Sequence, residues 1–378
     1  MLLPKANALW IDRGLAMRRF LFSLAVLLIM VCLCSCGEKK EEAPARVGSP
    51  TELVSSKRNV IYAYSLSDVT YPEQFTAIVI SFLDTFPDGR VKESSFPHLK
   101  ETLDTFHENH PYTKVIAGLG GASNSETLGR IIMDPEKRTV LAQTTAALVK
   151  SRGIDGIDLD WEYYSDYAEC NAAYLDFAIQ LRALLGKDCI ISMAGQSAGS
   201  FYDEASCIKL MNEVLDYVCV MTYDFDYSGR QRSYIGYNGN FTQLRGVMNG
   251  YASVVTDKSK LIVGLPLYGL KYAVEEDRVY YRGENAVRYM DDLGYSTLSS
   301  SKELGTKAAN PDAYDDDNGV ALAFRRKFMY TFDNETTVTT KTEWACENGF
   351  GGMMAWVASS DDAMFTLERA VTTVLNKY

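Results

Sequence analysis

Histidine is nearly missing from this chain: three occur in 378 residues, at His98, His107 and His110, all in one short stretch. That stretch lies near a predicted helix and is expected on the surface. So few imidazoles argue against Ser-His-Asp catalysis, HExxH metal helices and most other His-based chemistry. Cysteine offers no framework either. Beyond an N-terminal apolar segment, Cys170, Cys189, Cys207, Cys219 and Cys346 remain, an odd number with no CxxC pair. Neither a zinc site nor a disulfide scaffold is expected, and the five read as small core residues. Positive charge is short as well. The 38 Lys and Arg against 49 Asp and Glu leave a net charge of −11, which disfavours a nucleic-acid partner, because that needs a basic face. No GxGxxG follows the first predicted strand, which argues against a doubly wound dinucleotide-binding sheet. The acidic run Asp315-Asp316-Asp317-Asn318 lacks the full calcium-loop spacing and reads as a solvated loop. No metal and no other cofactor is expected.

The N-terminus carries a long apolar run. Met17-Arg18-Arg19-Phe20 leads into an apolar stretch from Leu21 to Leu33, which ends in Leu33-Cys34-Ser35-Cys36. A basic start, a short apolar run and a small residue before a Cys make a secretory signal. The run is too short to span a bilayer comfortably. Its ending resembles a bacterial lipobox, which implies cleavage before Cys36 and lipid attachment to that sulfur; a plain signal peptide or a short anchor is the alternative. Residues 1–16 read as an over-extended start. Residues 37–57 begin with acidic and basic side chains and become rich in Pro, Ser and Gly without hydrophobic periodicity, so they read as a flexible tether. The acidic start of the tether resembles surface-export signals of some Gram-negative lipoproteins. A cell-envelope location is therefore expected, at the outer membrane, with the cell surface and the periplasmic face both open, and with the lipid anchor as the only membrane contact.

From residue 58 to 378 the composition is that of a globular domain: the whole chain is 47% hydrophobic and 12% aromatic. Its 24 Tyr far outnumber the 4 Trp. Tyr and Trp are amphipathic platforms suited to flat polar ligands such as sugars, although packing alone also uses them. Short apolar runs recur at 59–65, 76–82, 114–119, 156–161, 189–194, 217–223, 261–267 and 351–356. Their β-branched content and lack of strict alternation suit strands buried on both faces. Helical patterns lie between most of them, at 139–151 ending before Gly153, 172–185 ending before Gly186, 241–255 and 337–346. Eight strands alternating with helices predict an α/β fold, a (β/α)8 TIM barrel. The interval between the seventh and eighth strands is far longer than a crossover needs. Its alternating aromatics, Val279-Tyr280-Tyr281-Arg282, and turn residues predict a small β-rich insertion over about 270–325 that forms one wall of a cleft.

One predicted strand is unusual. Residues 153–163 read GIDGIDLDWEY, with four carboxylates among apolar neighbours. Asp158, Asp160 and Glu162 are spaced by two, so they share one face of a strand, roughly 6.5–7 Å apart along it. Ile157, Leu159 and Trp161 take the other face and can pack against the helices. Asp155 has the wrong parity and belongs to the turn entering the strand. Carboxylates this close in a partly dry site cannot all ionise cheaply, so one of them keeps a proton near neutral pH. Such a series, ending in Glu at the C-terminal end of a barrel strand, is suited to present a general acid at the active-site face. A divalent-cation site and a salt-bridged strand are the competing readings. Metal ligands usually come from several strands, and no His accompanies these three.

At this point residues 59–375 resemble glycoside hydrolase family 18, the chitinase-like family. Its DxxDxDxE signature is met by Asp155, Asp158, Asp160 and Glu162. Gly118-Leu119-Gly120-Gly121 is similar to SxGG on the third strand, with Gly118 in place of Ser; Met221-Thr222-Tyr223-Asp224 matches MxYD on the sixth. Gly264 to Gly269 looks like the seventh-strand segment, and Trp356 falls at the eighth-strand tryptophan. The resemblance implies that the substrate's own acetamido group is the nucleophile. By the same resemblance, Glu162 is the acid and later the base. Asp160 orients the acetamido N–H, Asp158 shares its proton, and Tyr223 hydrogen-bonds the acetamido carbonyl. Trp356 is the sugar floor, Met221 and Asp224 line the acetyl pocket, and Tyr62, Gly120 and Gly121 join the substrate-binding set. Leu270 and Asp226 stand where many members carry Arg and His.

The expected activity is retaining hydrolysis of β-1,4-linked N-acetylglucosamine in chitin or chitooligosaccharides by a monomer. Release of N-glycans by an endo-β-N-acetylglucosaminidase is the alternative. A non-catalytic sugar-binding protein is a further reading, disfavoured because the Glu and the final Asp are both kept. No separate chitin-binding module is visible, so soluble oligosaccharides are the expected substrate.

Overall fold

The computed structural model describes residues 52–92, 99–162, 168–197, 202–226 and 233–378. The signal, Cys36, most of the tether and His98 lie outside the described residues.

The predicted strands are all present. β1 (Arg58–Ala63), β2 (Ala77–Leu83), β3 (Lys114–Gly120), β4 (Gly156–Asp160), β5 (Ile190–Gly195), β6 (Tyr217–Val220), β7 (Leu261–Pro266) and β13 (Gly352–Trp356) are the barrel strands. They pair in parallel and close as β1-β13-β7-β6-β5-β4-β3-β2. The helices α1 (Leu99–Asn109), α2 (Ser125–Met133), α3 (Pro135–Arg152), α4 (Ala168–Leu185), α5 (Ala205–Lys209), α6 (Phe241–Val254), α7 (Tyr295–Leu298), α8 (Glu335–Glu347) and α9 (Thr366–Leu375) fall between or after them.

Local chemistry sets several helix limits. Asp134 caps α3 by accepting from the Glu136 and Lys137 amides, Pro135 fills the first helical position, and Gly153 ends the helix at φ 71°. Asn240 caps α6 through the Gln243 amide, and Asn334 caps α8 through that of Thr337. These caps lie one to five residues before the apolar periodicity begins, which is why hydrophobic pattern alone starts α3 and α8 late.

Alternation along the strands sorts side chains between two layers. Ile61, Ile78, Val115, Ala117, Ile157, Leu159, Ile191 and Val263 join the large core between barrel and helices. Val60, Tyr62, Val79, Ile116, Tyr217, Cys219, Ile262 and Met354 fill the barrel interior. Each fully buried aliphatic side chain of this kind contributes about 1.5–3 kcal/mol of transfer free energy. Cys170, Cys207, Cys219 and Cys346 are buried and Cys189 is half-buried, and none forms a disulfide.

The long seventh crossover is a five-stranded antiparallel sheet, ordered β10-β11-β12-β8-β9. Its strands are β8 (Tyr268–Ala273), β9 (Arg288–Gly294), β10 (Ala313–Asp315), β11 (Val320–Arg325) and β12 (Phe328–Phe332). It starts two residues earlier and ends seven residues later than the composition suggested, because apolar β8 and β12 are its central strands and the turn-rich part is only its periphery. Its core of Leu270, Tyr272, Val274, Tyr280, Val320, Leu322 and Met329 also takes in Ile235 and Tyr237 from the crossover after β6.

Two expectations need correction. The end of the supposed tether is docked: the Leu53 amide donates to Glu73 O (3.0 Å), Val54 to the Asn376 side chain (2.8 Å), and Lys57 Nζ to Phe350 O (2.7 Å). Low hydrophobicity hid these backbone contacts. His107 is not a bare surface residue, since its Nε2 lies 2.9 Å from Asp155 Oδ2.

A buried ion pair closes the base of the inserted sheet. Lys341 on α8 is wholly buried; its ammonium donates to Asp333, just after β12, and to Gly239 O. Burial lowers the ammonium pKa while the Asp333 charge opposes the change. Removing one partner of such a pair strands the other charge. Asp333→Ala should therefore cost about 3–5 kcal/mol in urea unfolding. A loss below about 1 kcal/mol would show that Lys341 has found another way to lose its charge.

Candidate active site

The acidic strand is oriented as its spacing requires. Asp158 and Asp160 are buried inside the barrel while Ile157, Leu159 and Trp161 pack outward. Asp155 belongs to the entry turn. Its carboxylate accepts from the Val115 amide (2.8 Å) and Lys114 Nζ (3.1 Å) and meets His107, joining β3 and α1 to the start of β4. Glu162 follows the strand, and its amide donates to Ser125 Oγ at the start of α2 (2.8 Å).

The three carboxylates meet different surroundings. Asp158 accepts from Tyr62 OH at 2.8 Å and from Ser192 Oγ at 2.5 Å, one bond to each oxygen. Burial raises its pKa to about 6 against the pull of these two donors. Asp160 is pushed well above the usual carboxylate range, first by burial and then by the charges of Glu162 and Asp158. Its Oδ1 is buried and has no hydrogen-bond partner. Burial and the neighbouring charges thus disfavour the ionised form of Asp160, while two hydroxyl donors support that of Asp158, and no direct hydrogen bond between the two is seen.

Above them opens a cleft of about 860 Å³. Of the residues expected from sequence, Glu162, Asp160, Tyr223, Trp356, Met221, Asp224 and Tyr62 all line it. Asp158 lies one layer deeper, beneath Tyr62. Tyr62 is only 2% exposed, so its hydroxyl serves Asp158 more than the cleft.

Gly120 and Gly121 are not among the lining residues. Gly120 has φ 118°, and a Cβ there would fall 2.1 Å from Asp160 O. The Gly121 amide donates to that same oxygen at 2.8 Å. A Cβ on Gly121 would strike the Phe82 ring at 2.5 Å. The two glycines thus let β3 approach the end of β4 and make room for Phe82, which stacks on Trp356 (5.8 Å between centroids, 20° between planes).

Sequence reasoning missed Tyr64, Phe82, Ser123, Gln196 and Tyr268 in the lining. Tyr64 carried a usable signal, because it follows Tyr62 by two and stands directly after the end of β1. It meets Trp356 edge-on at 5.9 Å. Ser192 and Asn238 were missed because nothing local marks them. Of the noted departures, Leu270 is buried in the inserted sheet, and Asp226 is ion-paired with Arg282. Gly118 pairs with Asp158 in register, as does Ser192 on the other side. The hydroxyls that meet Asp158 thus come from β1 and β5 and not from β3.

The chain has known relatives. Residues 54–361 match the family model of glycosyl hydrolases family 18. The class V chitinase CHIT5b of Medicago truncatula is 25% identical over 331 residues, covering 80% of this chain and 84% of that protein. Two solved structures share the fold, each over 84% of this chain and 99% of their own. One is the GH18 chitinase from Cycas revoluta in complex with (GlcNAc)3, with TM-score 0.71 and 20% identity. The other is the chitinase-like agglutinin from Robinia pseudoacacia, with TM-score 0.72 and 17% identity.

The raised pKa of Asp158 makes a stability prediction. The folded chain holds this proton more tightly than the unfolded chain, whose carboxyl titrates near 3.8. The contribution of Asp158 to folding therefore falls as pH rises from about 4 to about 6 and is constant above. The difference corresponds to about 3 kcal/mol. Relative to the parent, Asp158→Asn should gain about that much across this window in urea titrations. A difference that does not change with pH would contradict the assignment.

Proposed function

The chain belongs to family 18 of the glycosyl hydrolases, and from that premise we propose that it cleaves β-1,4-linked N-acetylglucosamine in chitin or chitooligosaccharides with retention at the anomeric carbon. One observation carries the reading. Asp160, whose buried Oδ1 has no hydrogen-bond partner, lines a cleft that also holds Glu162 and the aromatic Trp356. A buried acceptor costs free energy until a donor reaches it, and the N–H of a 2-acetamido group is such a donor.

In this reading Glu162 gives its proton to the glycosidic oxygen as the C1–O bond breaks. The acetamido carbonyl oxygen attacks C1 from the other face, forming an oxazolinium ion. Asp160 holds the acetamido N–H and offsets the positive charge. Water then attacks C1, losing its proton to Glu162, and the acetamido group is released. Asp158, held by Tyr62 and Ser192, keeps the proton of the pair on Asp160 and can accept it when Asp160 takes negative charge. Tyr223 donates to the acetamido carbonyl, so that attack starts from a near-reactive geometry. Trp356, fixed by Phe82 and Tyr62, forms the floor beneath the sugar ring. Met221 and Asp224 bound the acetyl pocket.

We also propose that the chain is a lipoprotein held at the cell envelope through Cys36, as the segment Leu33-Cys34-Ser35-Cys36 supports. Cys36→Ser should then move the protein from the membrane fraction to the soluble fraction and abolish labelling by a fatty-acid probe.

Glu162→Gln should lower turnover of chitotetraose by several orders of magnitude while the oligosaccharide still binds, measured by product release and calorimetry. Unchanged turnover would remove Glu162 as the acid. Comparing products from chitotetraose and from a high-mannose glycoprotein separates chitooligosaccharide cleavage from N-glycan release: intact glycan released from the glycoprotein, with chitotetraose untouched, would replace the proposed substrate.

A further inference from the structure

Beyond Val220 the chain leaves the barrel and turns through Tyr223 and Asp224. Its near end is fixed to neighbouring strands: the Met221 amide donates to Gly195 O (2.8 Å), and Thr222 Oγ1 to Gly264 O (2.6 Å). Asp224 then adopts a left-handed backbone, φ 57°, a conformation that a non-glycine residue keeps only when its surroundings hold it. Asn238 is part of those surroundings. Its Oδ1 accepts from the Asp224 amide (2.8 Å), and its Nδ2 donates to Tyr268 O (3.0 Å), the first residue of the inserted sheet.

Two residues after Asp224, Asp226 is 5% exposed. Arg282 reaches it with a two-limbed contact, Nε to Oδ2 at 2.7 Å and an Nη to Oδ1 at 2.6 Å. The Tyr237 amide adds a third donor at 2.9 Å. Arg282 is fixed in turn, because its own amide donates to Tyr237 OH (3.1 Å), which bonds Asp315 (2.9 Å). Ile235 and Tyr237 are buried in the core of the inserted sheet. A buried carboxylate with a forked guanidinium partner is geometrically specific, and it is costly to leave half made. Neither Asp226 nor Arg282 lines the cleft.

We propose that Asp226 and Arg282 are positioning residues, a latch through which the inserted sheet sets Tyr223 and Asp224 at the cleft; this rests on the role given to Tyr223 above. The sheet is then more than a wall. It completes the site by holding the far end of the Tyr223 turn, whose near end the barrel holds.

The test is a double-mutant cycle on chitotetraose hydrolysis, with kcat, KM and melting temperature measured for Arg282→Ala, Arg282→Lys, Tyr223→Phe and Tyr223→Phe/Arg282→Ala. Arg282→Ala should lower kcat roughly ten- to hundred-fold, as small misplacements of reacting groups do, with KM changed less than about threefold. Arg282→Lys keeps the charge without the fork and should fall between. In the Tyr223→Phe background the same Arg282→Ala change should cost less than about threefold, because coupled residues are not additive. If Arg282→Ala does not fold, Asp226→Asn takes its place in the cycle. An equal factor in both backgrounds, or parental kcat in folded Arg282→Ala, overturns the latch and leaves the proposed function standing. Parental kcat in Tyr223→Phe alone overturns the role of Tyr223, and the latch with it.

Discussion

Burying two carboxylates on one barrel strand is the constraint that organises this molecule. Asp158 and Asp160 stand inside a closed parallel sheet, where an ion without partners is strongly disfavoured. The fold answers differently at the two positions. Asp158 receives hydroxyl donors from β1 and β5, so its charge can be kept. Asp160 is left with an unpartnered oxygen and a strongly raised pKa, so its ionised form is disfavoured. Two like residues, two apart on one strand, thereby meet environments that favour ionisation to different degrees. Glu162 stands past the end of the strand at the cleft, where a substrate can reach it.

The surroundings of the strand follow from that division. Gly120 and Gly121 bring β3 against the main-chain oxygen of Asp160, which fixes the end of the strand. The same absence of side chains admits Phe82, and Phe82 supports Trp356. Glycines that carry no chemistry thus connect the acidic strand to the aromatic floor. On the opposite side Asn238, Asp226 and Arg282 connect the Tyr223 turn to the inserted sheet. The cleft is therefore bounded by one wall set by close packing and another set by directional polar contacts. The first tolerates little change in volume, and the second little change in hydrogen-bonding geometry.

Much of this was legible locally. Apolar runs of strand length separated by helical periods specify alternating elements, and spacing by two specifies which residues share a face. The eight barrel strands, the inward direction of Asp158 and Asp160 and the outward direction of Trp161 are of this kind, as are the glycine ends of α3 and α4. The motifs shared with family 18 pointed to Tyr223, Met221 and Trp356 without any geometry.

What was not legible depends on distant pairing. Ser192 and Asp158 are 34 positions apart, and Asp226 and Arg282 are 56 apart. No periodicity relates such residues; only closure of the barrel and docking of the inserted sheet bring them within hydrogen-bond reach. The extent of that sheet and the docking of residues 52–57 were misjudged for the same reason, since backbone pairing leaves little trace in composition. By itself the sequence determined the order of the elements and the face on which each carboxylate lies, because both follow from the repeat of a single strand or helix. Tertiary structure alone decided which carboxylate receives hydroxyl donors and which residues hold the Tyr223 turn, because both depend on the partners that long-range register places opposite each group.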